Sequence, residues 1–136
     1  MSFELIPITF HKVLQSRSYT VVVLGTVDKQ FAIYMQPQVG KDIQTYLMQG
    51  KKLRPSPHNL IQSILSGYDI KPTQVVIEDV QDALYFAKLF LETSNQDKKT
   101  ILEIDARPSD CITLALLSNI PMFCRKQVLE KAVSHQ

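Results

Sequence analysis

A chain of 136 residues with 45% apolar side chains has the length of one domain and enough material for one continuous core, so residues 1–136 are read as a single unit. Fifteen Lys and Arg against 13 Asp and Glu leave a formal net charge of +2, a bias too small to demand or exclude a polyanionic partner, which depends on local clusters. Met1 to Leu5 lacks a basic start followed by a long apolar run, and no stretch is long enough to span a bilayer, so a cytoplasmic location without membrane contact is expected.

Phe3 to Phe10 and Tyr19 to Thr26 are rich in β-branched and aromatic residues and flank the polar run Gln15-Ser16-Arg17-Ser18, which predicts two strands joined by a turn. Val21 to Leu24 is continuously apolar, the pattern of a central strand covered on both faces. Phe31 to Met35 forms a short third strand ending at Gln36-Pro37. Pro37 suits a first helical turn, and Val39, Ile43, Tyr46 and Leu47 recur at helical spacing up to Gly50. A second helix opens near Ser56-Pro57 with Leu60, Ile61, Ile64, Leu65 and Tyr68 on one face.

After Lys71-Pro72, the segments Gln74 to Val80, Leu84 to Glu92 and Thr100 to Ile104 read as an antiparallel meander, with a polar loop from Ser94 to Lys99. Ser109 to Ser118 is a helix apolar nearly all round, which must be buried against the sheet or a second subunit. Pro121 to Cys124 gives one more strand and Gln127 to Val133 a closing helix. Cys111 and Cys124 lack CxxC spacing or a nearby His pair and are read as buried free thiols. The expected fold is α+β, a mixed, largely antiparallel sheet with about four helices packed on it.

The run Ile104-Asp105-Ala106-Arg107-Pro108-Ser109-Asp110 resembles the signature of the bifunctional nuclease family. Phe31-Ala32-Ile33-Tyr34-Met35, Arg54-Pro55 with His58-Asn59-Leu60, Val75-Val76-Ile77-Glu78-Asp79, Leu84-Tyr85-Phe86-Ala87 and Ile120-Pro121-Met122-Phe123 extend the resemblance in order over residues 18–133. What it implies is a small α+β domain, often self-associating, with nuclease activity on DNA and RNA in some members. The chain departs from that pattern at Gln36 and Val39, where a Gly and then a Glu are common, and at Asn59, where His-Asp is common; two site positions that are acidic in the family are neutral here.

Phosphodiester hydrolysis needs an activated water and stabilisation of charge on the phosphoryl oxygens, usually with a divalent metal. Asp105 at a strand end and Asp110 at a helix start are the expected ligands of a Mg²⁺ or Mn²⁺ ion. Arg107 is the expected phosphate clamp, helped by the backbone N–H groups of the helix starting near Ser109. The structural alternative is that Asp105, Ser109 and Asp110 cap that helix, while Arg107 pairs with a carboxylate.

His58, with a pKa near neutrality in its ordinary state, is the expected proton-transfer residue, against a packing role in the first turn of its helix. Lys51, Lys52 and Arg54 are the candidate nucleic-acid contacts, with Lys98 and Lys99 on another loop; the alternative is that they complement a helix dipole. Glu78, Asp79 and Asp82 read as solvated turn charges. Three functions remain open: a nuclease on DNA or RNA, a non-catalytic domain that self-associates through the heptad and the apolar helix near Cys111, and an anion or nucleotide sensor using Arg107.

Overall fold

A computed structural model of the chain describes residues 4–50 and 54–135. The elements are β1 (Leu5–Gln15), β2 (Thr20–Gly25), β3 (Gln30–Met35), α1 (Pro37–Leu47), α2 (Pro57–Gly67), β4 (Ile70–Gln81), β5 (Leu84–Asn95), β6 (Lys98–Ala106), α3 (Pro108–Ser118), β7 (Met122–Arg125) and α4 (Lys126–Lys131). The strands make one sheet of seven in the order β3-β2-β1-β7-β4-β5-β6. All its pairs are antiparallel except β4 with β7, where Val75, Val76 and Ile77 lie beside Met122, Phe123 and Cys124. The last strand in sequence therefore sits in the middle of the sheet and joins the β1–β3 meander to the β4–β6 meander.

Every residue of β2 is buried, as its unbroken apolar run Val21 to Leu24 requires. Helix α1 lies directly on it: a Cβ at Gly40 would overlap the Thr20 side chain, so glycine permits the close approach. The sheet curls strongly. Phe31 on the edge strand β3 stacks on Tyr85 of β5, with ring centroids 5.1 Å apart, although four strands separate them in the sheet order. Inside the curl, Val22, Leu24, Phe31, Ile33, Ile43, Val75, Ile77, Leu89 and Cys124 join the core.

Helix α3 closes that core from within the protomer. Cys111, Ile112, Thr113, Leu114 and Ala115 are all buried against α1, α2, β4 and β5, so the near-uniform apolar character of this helix is accounted for without a second subunit. Both cysteines are free and buried, and burial pushes the Cys111 thiol up to about 12, with the Asp110 and Asp105 charges adding to it, and Cys124 up to about 11.

Strand limits differ from the sequence expectation around the second meander. β4 starts at Ile70 and runs through Pro72, which a register shift between Pro72 and Gln74 accommodates. The expected loop from Ser94 to Lys99 shrinks to Gln96-Asp97, both at positive φ, and the flanking polar residues belong to β5 and β6. Among the described residues no helix is long and apolar enough to cross a membrane.

Candidate functional site

The strand β6 runs into α3 through Arg107, which is extended at φ −64 and ψ 145 because the following proline disfavours helical angles there. Pro108 then occupies the first helical position, where its missing N–H costs nothing. Arg107 and Asp110, three residues apart, face each other across this first turn. Arg107 Nε donates to Asp110 Oδ2 at 2.8 Å and its Nη2 donates to Oδ1 at 3.1 Å, a forked pair. The alternative in which Asp105, Ser109 and Asp110 cap the helix is not what the turn uses: Arg107 is the N-cap and makes no side-chain cap bond, and Asp110 is spent on Arg107.

A third group arrives from α2. The start of that helix is fixed by a capping box in which Ser56 Oγ accepts from the Asn59 backbone N–H at 3.2 Å and Asn59 Oδ1 accepts from the Ser56 N–H at 2.7 Å. Pro57 fills the first position, and His58, next to it, points its Nε2 at Asp110 Oδ1, 2.8 Å away and 52 residues on in sequence. With Asp110 ionised, Nε2 carries the hydrogen of this bond. Asn59 thus has a defined structural task, although an acid is common at its position in the family.

Burial alone would raise the Asp110 carboxyl, but hydrogen bonds from Arg107 and His58, reinforced by their charges, outweigh it and hold the group below the usual carboxylate range. The same pair, chiefly through the hydrogen bond to Asp110, moves the Arg107 guanidinium up. Exposure grades outward through the chain of contacts. The side chains of His58, Asp110 and Arg107 are 10%, 25% and 72% exposed. One edge of the guanidinium is held by the protein and the rest faces solvent.

Arg107, Pro108 and Ser109 form one wall of a cleft of about 380 Å³, whose other walls are Ile33 to Gln36 with Val39, and Ala83 to Tyr85. Among the described residues, Arg107 is the only charged one in those walls. Gln36 and Val39, the positions at which the sequence departs from the bifunctional nuclease pattern, both line this cleft. An adjoining cleft of about 350 Å³ takes in Leu84, Tyr85, Phe86, Asp105, Ala106, Arg107 and Pro108. Tyr34 and Leu84 are both 62% exposed and Phe86 is 37% exposed, so apolar and aromatic surface flanks the guanidinium. Tyr34, Leu84 and Phe86 were not among the residues expected from the sequence; the one available signal was strand alternation in Phe31 to Met35, which turns Tyr34 away from the core.

The remaining candidates are dispersed. Asp105 is exposed near the end of β6, opposite Lys88 of β5, and makes no hydrogen bond or ion pair among the described residues. Ser109 lies inside the first turn of α3, where its carbonyl accepts from Thr113 Oγ1 at 2.7 Å. Arg54 is exposed ahead of α2, and Lys51 and Lys52 lie outside the described residues. Lys99 pairs with Glu92 at 2.9 Å. Glu78 and Asp79, expected as solvated turn charges, instead join Arg125 and Lys131 and tie β4 to β7 and α4.

Asp105 and Asp110 were the expected ligands of Mg²⁺ or Mn²⁺. Asp110 fits that task poorly, since both of its oxygens already accept from Arg107 or His58 and a cation on that carboxylate would face the guanidinium. Among the described residues no three His, Cys, Asp or Glu side chains gather as a metal cage.

Comparison with known proteins gives the lineage. The bifunctional nuclease domain matches residues 22–136, and the chain belongs to that family. Two uncharacterised proteins from two strains of Mycobacterium tuberculosis are each 28% identical to it over 81 residues, which is 58% of this chain and 44% of theirs. The chain thus spans under half the length of the curated relatives it matches.

Proposed function

We propose that this member of the bifunctional nuclease domain family takes the phosphate of DNA or RNA on Arg107 and hydrolyses the phosphodiester beside it. The observation that carries the reading is a guanidinium anchored on one edge by Asp110, open to solvent on the other, and alone in charge among the described walls of the larger, apolar and aromatic cleft. Such a fork binds phosphate oxygens bidentately. The first-turn N–H groups of α3, which have no acceptor inside the helix, add donors at its positive end. Tyr34 and Phe86 give bases flat surfaces on which to stack, independently of sequence.

In this proposal, water attacks phosphorus and a P–O bond breaks, leaving a phosphate monoester and an alkoxide that takes a proton from solvent to become a hydroxyl. Asp105, the free carboxylate that shares a cleft with Arg107, takes the proton from that water. The guanidinium meets the charge that grows on the phosphoryl oxygens. His58 acts as a positioning residue and not as the proton carrier expected from the sequence, because its ring is buried and its Nε2 is spent on Asp110. No step of the proposed reaction runs through Mg²⁺ or Mn²⁺.

A second reading keeps the ligand and drops the hydrolysis. It is favoured by the neutral side chains Gln36 and Val39, which leave the larger of the two clefts beside Arg107 without an acid among its described walls. Cleavage of single- and double-stranded DNA and RNA, with EDTA and with added Mg²⁺ or Mn²⁺, separates the two. Hydrolysis lost in Asp105→Ala with binding retained, and both lost in Arg107→Ala, is the expected pattern. Binding without cleavage in every condition leaves only the sensor, and cleavage that survives both substitutions removes this site.

A further inference from the structure

Ser56 caps the start of α2, and its hydroxyl lies 3.1 Å from the Tyr46 hydroxyl on α1. Ser56 is buried, so its polar atoms must be satisfied by the protein. A serine hydroxyl offers one hydrogen and two lone pairs, and here all three are used. Oγ accepts from the Asn59 backbone N–H at 3.2 Å and donates to Asn59 Oδ1 at 2.9 Å, which leaves one lone pair for Tyr46. Asn59 Oδ1 also takes the Ser56 N–H at 2.7 Å, which fills its own lone pairs and leaves the Tyr46 hydroxyl, more distant at 3.4 Å, to Ser56. Tyr46 therefore donates to the serine and completes the capping box from outside α2.

A capping box fixes the first turn of a helix, and with it the direction of the side chains in that turn. His58 stands between Pro57 and Asn59 there, and its ring is buried. Its Nε2 meets Asp110 Oδ1, but its Nδ1 is buried without a hydrogen-bond partner among the described residues. A histidine is commonly oriented by what its second nitrogen bonds to. With nothing on Nδ1 to steer it, the aim of His58 depends on the backbone turn that carries it, and so on the cap.

Helix α1 also reaches the cleft. Its N-cap Gln36 and first-turn Val39 line the larger cleft beside Arg107. Val39, Ile43 and Tyr46 recur at helical spacing and share one face of a helix about 16 Å long. Ile43 is fully buried and α1 packs on α3, so that face is pinned between the cleft at one end and the cap at the other.

We propose that Tyr46 is a positioning residue for Arg107. Its hydroxyl completes the Ser56–Asn59 cap, the cap aims His58, and His58 holds the carboxylate on which the guanidinium rests. The chain of contacts runs from α1 through α2 to α3 and ends at the cleft where α1 begins. A ligand pressing on Val39 thus acts on the same helix whose far end steadies the guanidinium. These contacts exist whatever the cleft binds, while their effect on a ligand rests on reading Arg107 as a phosphate site.

Tyr46→Phe, which removes one oxygen and keeps the ring, tests this in the full-length chain. NMR of isotope-labelled protein reads the two hydrogens that the contacts hold, on Arg107 Nε and His58 Nε2. Both should exchange with water about three- to tenfold faster in Tyr46→Phe, the size of coupling within one hydrogen-bond network. Affinity for a short labelled single-stranded oligonucleotide should fall by a similar factor, with circular dichroism confirming the fold. In a His58→Ala background, Tyr46→Phe should no longer reach the Arg107 hydrogen. Lower thermal stability with unchanged exchange at both hydrogens would make Tyr46 a packing residue and overturn the proposal. An effect on Arg107 that persists undiminished without His58 overturns the route, and if His58→Ala does not fold, exchange at the His58 ring in Tyr46→Phe decides alone. Faster exchange with unchanged affinity upholds the positioning and removes the phosphate reading instead, so the two fail separately.

Discussion

Arg107 and Arg125 hold the same local position with opposite outcomes. Arg107 directly follows β6 and Arg125 is the last residue of β7, each is the N-cap of the following helix, and their backbone angles agree within a few degrees, φ −64 and ψ 145 against φ −68 and ψ 144. Each also forms a forked pair with a carboxylate. Arg125 reaches 47 residues back to Glu78, with bonds of 3.0 and 3.3 Å, and both side chains are about four-fifths buried. Arg107 takes its acid from its own first turn and stays 72% exposed. A long-range pair closes the structure around its arginine, whereas a pair made within one turn holds the arginine still and leaves it open. That difference separates an arginine that fastens the fold from one that can receive a ligand.

The comparison can be broken most forcefully from the Arg125 side. Arg125→Ala strands a mostly buried Glu78 and should cost about 2 kcal/mol of stability, read from urea unfolding. Arg107→Ala, by the same measurement, should cost under about 1 kcal/mol, because an exposed pair contributes little. Equal losses would show that the two arginines do the same work.

Charge added to the neutral wall sharpens the contrast. Gln36→Glu places an acid in the Arg107 cleft and should weaken phosphate binding on the order of tenfold, measured by fluorescence anisotropy of a labelled oligonucleotide. An unchanged affinity would place the phosphate elsewhere.

Acid gives the smallest effect. Asp110 is held below its ordinary pKa, so the stability that its ionised form contributes is fully present above the unfolded value and is lost as pH falls through the lowered folded value. In Arg107→Ala the loss should begin at higher pH, since burial then opposes ionisation with only His58 left to counter it. Titration of the Asp110 carboxyl by NMR reads this directly; identical midpoints in the two proteins would mean that the pair is not formed in solution.

The elements were legible where burial and pattern coincide. β2 declares itself through Val21 to Leu24, and α1 and α3 through prolines at their first positions. β6 extends beyond its readable centre because its polar ends pair with β5 across Gln96-Asp97, a tight turn formed without the glycine that usually marks one. At the site, the Arg107 segment could be recognised as a run of residues, and its pairing with Asp110 follows from helical spacing. The His58 contact could not be read, since 52 residues separate the partners. Nor could the cleft, whose walls come from β3, α1 and the β4–β5 turn and meet only because the sheet curls.

The central claim is that Arg107 receives phosphate. Calorimetric titration of a short single-stranded oligonucleotide into wild type and Arg107→Ala, both checked for equal thermal stability, tests it most directly. The account predicts affinity about ten- to a hundredfold weaker without the guanidinium, the loss of one charge-assisted pair. Equal affinity in the two proteins would contradict it.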